Sequence, residues 1–120
     1  MPIYIKGEIN MQIHYNTETA RLTVQLDGEI DHHSSNALRA EVDAAIYAHL
    51  PQELVFDFRA VSFMDSSGIG LIMGRYKILQ PLGGQIILLD PAPHISRVLR
   101  LAGMERLAAI RSTPVKEAVQ

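Results

Sequence analysis

The chain has 120 residues, no cysteine, and eleven basic against thirteen acidic side chains, for a net charge of −2. That length suits one domain spanning 1–120. The missing thiols exclude disulfide, thiol-redox and thiolate-zinc chemistry, and the acidic balance argues against a nucleic-acid surface, which concentrates positive charge. No apolar run approaches the roughly 20 residues of a membrane span. The opening MPIYIKGEIN lacks the basic-then-apolar order of a signal peptide, so a cytoplasmic domain is the expectation.

The first thirty residues alternate apolar and polar, the period of a half-buried strand. Met11–Tyr15 and Arg21–Leu26 flank the polar break NTETA and should pair antiparallel. Ile3–Lys6 forms an extra edge strand. The period then lengthens to that of a helix, with Leu38, Val42, Ala45, Ile46 and Leu50 on one stripe. Ser34 or Ser35 caps its first turn, and Pro51 ends it. ELVFDF, Glu53 to Phe58, reads as a strand buried on both faces, as in a parallel sheet.

A second helix is expected from Ser66 or Ser67 to about Gln80. Its stripe is Ile69, Ile72, Met73, Tyr76 and Leu79, and Pro81 with Gly83-Gly84 stops it. QIILLD is another buried strand. PAPHISRVLRLAG gives a third helix, with Pro93 in its first turn, Ile95, Val98, Leu99 and Ala102 as its stripe, and Gly103 past its end. RLAAI reads as a last edge strand, and Thr113-Pro114 as the start of a short terminal helix. The order is β-β-α-β-α-β-α-β with right-handed crossovers. It predicts an α/β fold: a mixed β-sheet with helices packed on it.

The segment FMDSSGIGLIMG carries the chemistry in question. Asp65 is placed to cap the second helix, with Ser66 and Ser67 in its first turn, where free N–H groups and a partial positive charge gather. Gly70 and Gly74 fall on one helix face. Each costs about 1 kcal/mol relative to alanine, so they should admit a close backbone, most simply that of the sheet and otherwise that of another protein. Gly68, Gly70 and Gly74, with Asp90 about twenty residues on, imitate a dinucleotide loop. Nine residues separate Phe58 from Gly68, however, and such a loop follows its strand directly. A serine nucleophile needs a base in reach, and GxSxG is absent. His14, His32, His33, His49 and His94 show no metal-ligand spacing. No catalytic residue, metal or cofactor is assigned. What fits is a small hydroxyl at an exposed helix start, an accessible phosphate acceptor.

GEIDHHSSNALRAEVD followed by FDFRAVSFMDSSGIGLIMGRYK closely resembles the STAS-domain anti-sigma factor antagonists, nearest the branch of the sporulation sigma-F pathway. The likeness runs from about Met11 to Ile110. It implies a mixed sheet with helices on one side, and a protein that binds an anti-sigma factor when unphosphorylated and so frees the sigma factor. It implies two partners: the anti-sigma factor, which is also a serine kinase using ATP, and a metal-dependent serine phosphatase that reverses the modification. By the same resemblance Ser66 is the acceptor and Asp65 belongs to the docking site. Asp31, His32 and His33 form the loop beside it, and Ser67 shapes it. Residues Met1 to Asn10 precede the family's first strand, and STPVKEAVQ matches loosely. The alternatives are a STAS module of a stress-signalling partner switch and a nucleotide-binding protein using the Gly68–Gly74 loop.

Overall fold

A computed structural model describes residues 2–5 and 9–114, with side chains from residue 10 onward. One six-stranded sheet runs in chain order: β1 (Pro2–Ile5), β2 (Ile9–Asn16), β3 (Arg21–Ile30), β4 (Glu53–Met64), β5 (Gln85–Leu89) and β6 (Ala109–Arg111). β1, β2 and β3 pair antiparallel, and β3 to β6 pair parallel. The expected N-terminal edge strand is present as β1. Each parallel pair is joined through one helix: α1 (His32–His49), α2 (Ser66–Leu79) or α3 (Pro93–Leu101). Successive right-handed crossovers that advance one strand in the same direction lay all three helices on one face.

A single apolar cluster fills the space between. Leu22, Val24 and Leu26 of β3, Leu54, Phe56 and Phe58 of β4, and Ile86 and Leu88 of β5 meet Leu38, Val42 and Ile46 of α1, Leu71, Ile72 and Leu79 of α2, and Ile95 and Leu99 of α3. The alternation of these strand residues is why the sheet turns this face to the helices.

Several boundaries differ from the sequence reading. β3 and β4 extend to Ile30 and Met64, well past Leu26 and Phe58. Their register shifts twice, between Gln25 and Asp27 and between Gly28 and Glu29. Extra residues in β4 turn the inward spacing from two to three, so Phe58, Val61 and Met64 face the core; such bulges erase the alternating pattern. α1 begins at His32, not at Ser34 or Ser35. α2 buries Gly68, Leu71, Ile72, Arg75 and Leu79, whereas Met73 is exposed. Its buried stripe is turned because glycine and arginine occupy inward positions. Val98 and Ala102 are likewise exposed on and just after α3. Gly103 does follow the end of α3 with φ +77°. The first part of RLAAI belongs to a 3-10 turn over Met104–Arg106 and the bend after it. No helix has begun by Pro114, and the rest of that predicted terminal helix lies outside the described residues.

Candidate functional site

The site lies where β3 and β4 end. Ile30 and Met64 are paired neighbours, and the next residue in each strand caps a helix. Asp31 caps α1, and Asp65 caps α2. The Asp65 N–H donates to the Ile30 carbonyl at 3.1 Å, which ties the two caps together. Two helix N-termini, each with a partial positive charge, therefore adjoin at the carboxyl ends of parallel strands.

Asp31 Oδ1 accepts from the His33 and Ser34 N–H groups, both at 3.0 Å, and Ser34 Oγ accepts from the Asp31 N–H at 3.2 Å. This reciprocal capping box corrects two expectations. Ser34 is the third residue of the helix and not its cap, and Ser35 is buried one position further on. His32 and His33 belong to the first turn of α1 and not to a loop; both are exposed, with ring centroids 4.1 Å apart.

The two serines of α2 differ sharply. Ser67 turns back on the cap: its N–H and its hydroxyl both donate to Asp65 Oδ1, at 2.8 and 2.6 Å. Ser66 is exposed, and the described hydrogen bonds include none to its hydroxyl. Asp31, His32, His33, Asp65, Ser66 and Ser67 thus all fall on the two adjoining helix starts.

Beside them a groove of about 320 Å³ runs between α1 and α2, lined by Ser35, Arg39, Ser67, Gly70, Gly74 and Arg75 among others. The expectation that Gly70 and Gly74 pack on the sheet fails, because a Cβ at either would meet nothing within 4 Å. Of the three α2 glycines Gly68 is the close-packed one, since a Cβ there would overlap the Met64 side chain. Arg75, only 6% exposed, holds its Nε 2.8 Å from Asp43 Oδ1 and donates from Nη1 to the Leu71 carbonyl. Burial pushes its pKa down, and Asp43 opposes that shift. Sequence reasoning missed Arg39 and Arg75, because arginine is usually exposed and neither stands in the serine motif. A larger hollow of about 420 Å³, lined by Gln12, Gln25, Asp27, Asp57 and Arg59 among others, lies on the other face of the sheet, away from both caps.

The nucleotide alternative loses its basis here. Gly68, Gly70 and Gly74 lie inside α2 rather than in a loop, so they form no backbone cradle for phosphates. Spacing does not exclude it, contrary to the expectation from sequence, since β4 runs to Met64 and only Asp65 separates it from α2. Among the described residues, no three His, Asp or Glu side chains gather as a metal site. No helix there is long and apolar enough to cross a membrane.

The family model for the STAS domain matches residues 8–118. The chain belongs to the STAS-domain family. This STAS chain is 36% identical over 107 residues to the anti-sigma F factor antagonist of Paenibacillus polymyxa, covering 89% of this chain and 92% of the relative. The unphosphorylated form of the anti-sigma factor antagonist SpoIIAA superposes with a TM-score of 0.76 at 32% identity, covering 91% of this chain and 92% of that one. The Bacillus cell fate determinant SpoIIAA in its phosphorylated form gives 0.69 at 32% identity, covering 91% and 96%.

Proposed function

We propose that this STAS protein is an anti-sigma factor antagonist of the sigma-F type, switched off by phosphorylation of Ser66. It acts by binding and not by turnover. Unmodified, it docks through the paired helix starts, Asp31 to His33 and Asp65 to Ser67, onto an anti-sigma factor, and that factor lets go of its sigma factor. The anti-sigma factor is also the kinase: Ser66 Oγ takes the γ-phosphoryl group of its ATP, ADP leaves, and the hydroxyl proton passes to the kinase or to water. A serine phosphatase restores the hydroxyl.

The observation that carries this reading is the contrast between the two serines. Ser66 is exposed, whereas Ser67 spends its hydroxyl on Asp65. Likeness to antagonists of this kind, among them one whose structure is phosphorylated, supports it. A phosphate adds about −1.5 to −2 charges. Two like unit charges about 4 Å apart at an effective dielectric of 20 repel by about 4 kcal/mol, close to a thousandfold in affinity. The test is incubation with the anti-sigma kinase and ATP, then mass mapping of the phosphate. A single phosphate on Ser66, with loss of binding, is expected. Phosphate on Ser67, or undiminished binding by the phosphoprotein, refutes the proposal.

A further inference from the structure

The pairing of β4 with β5 stops at Asp57 and Leu89, while β4 continues to Met64. The start of α3 borders this overhang: His94 Nε2 lies 2.8 Å from the Ser62 carbonyl, four residues before Ser66. α3 therefore flanks the strand that carries the switch.

The outward stripe of α3 is unusual in content. Ile95 and Leu99 face the core, so His94, Arg97, Val98 and Leu101, at i, i+3, i+4 and i+7, face solvent. Leu101 is 82% exposed and Val98 38%. Arg100 flanks them, and its described partner is the Ser96 hydroxyl. Among the described residues, no carboxylate lies within ion-pair distance of Arg97 or Arg100. A chain of net charge −2 thus presents a helix face of cations and bare aliphatic groups, with no acid within α3 itself.

We propose that this face of α3 is a second docking surface, taking an acidic segment with apolar side chains on the same anti-sigma partner that meets Ser66; the inference rests on the function proposed above. Charge complementarity selects the acid: unpaired arginines at a surface steer an oppositely charged partner and make its binding salt-dependent. Leu101 and Val98 call for apolar groups between those acids. A lipid surface is the poorer fit, because an interfacial helix buries a broad apolar face and α3 exposes only two large apolar side chains over nine residues.

The experiment measures binding of the full chain to the purified anti-sigma kinase across a salt series. Arg97→Glu with Arg100→Glu should weaken binding at least about tenfold at low salt and flatten the salt dependence. Leu101→Ser should weaken it about fivefold without changing that slope. Melting curves should stay near wild type, since all three side chains are exposed. Affinities within about twofold of wild type for both variants overturn the inference. So does loss of binding to phosphatidylglycerol vesicles, rather than to the kinase. Wild-type binding that Ser66 phosphorylation abolishes but the α3 variants leave intact sinks this inference alone. A wild-type chain that never binds the kinase sinks the antagonist reading and this one with it.

Discussion

Asp43→Ala should destabilise the protein by about 2–4 kcal/mol, because it leaves the Arg75 guanidinium buried without its counter-charge. Arg75 is 6% exposed, and its Nε sits 2.8 Å from Asp43 Oδ1. The contact is close but poorly aligned, since neither atom completes a hydrogen bond, so its worth is Coulombic. At an effective dielectric of 20, charges about 4 Å apart attract by about 4 kcal/mol. The Asp43 side chain is partly exposed, and water reaching it sets that figure as the upper end. For a chain of this size each kcal/mol moves Tm by roughly 3–5 °C, so a fall of about 10 °C is expected. Urea unfolding would measure the free energy directly. Asp43→Ala combined with Arg75→Met should recover most of the loss, because an apolar pair leaves no stranded charge. A single-variant loss below about 0.5 kcal/mol would refute the reasoning and mean that solvent already screens the pair.

Gly70→Ala and Gly74→Ala should each raise stability by up to about 1 kcal/mol in the same unfolding assay, since nothing meets the added methyl; a loss at either would reveal a hidden contact. Gly68→Ala should instead cost about 1–3 kcal/mol, because Met64 must move within the core. The Asp90 carboxylate accepts from the Thr113 hydroxyl and N–H, and these bonds hold its pKa below the usual carboxylate range. A depressed folded-state pKa adds stability above the unfolded value of about 3.9, and that stability is lost as pH falls through the folded value. Thr113→Val, which removes the hydroxyl and keeps the N–H, should therefore raise the Asp90 titration midpoint in carboxyl NMR; an unmoved midpoint would clear the hydroxyl of the effect. On the proposed function, Ser66→Asp should weaken binding of the anti-sigma factor less than a phosphate would, having one charge and a shorter reach; equal or stronger binding than wild type would count against an electrostatic switch.

The order of strands and of the three main helices along the chain was legible because the core residues of β3 and α1 keep their periods and β5 is one apolar run. The ends of β3 and β4 were not. Two bulges put Phe58, Val61 and Met64 inward at a spacing of three, a pattern that reads as neither strand nor helix. The cap of α2 was legible because aspartate directly precedes a small-residue first turn. The cap of α1 was hidden, since His32 and His33 looked like loop and Ser34 is as good a cap as Asp31. Arg75 was invisible as an inward residue because nothing in the sequence pairs it with Asp43, 32 positions earlier. The glycines misled for a related reason: a sequence records the missing side chain but not what stands opposite it.

The bulges and the caps belong to one device. If β4 ran without its bulges, Met64 would overshoot Ile30 by two residues, and the two caps would not adjoin. Because they do, Ser66 stands at a helix start whose own cap is already satisfied by Ser67. A phosphate on Ser66 breaks none of the described hydrogen bonds, and in water the helix dipole offsets part of its charge. The folded chain therefore pays little for the modification. A docked partner would remove that water from a dianion at the start of an aspartate-capped helix. If Ser66 is the acceptor, the same few ångströms that make it accessible would confine the electrostatic penalty to the complex, and such a switch would need no second conformation of the domain.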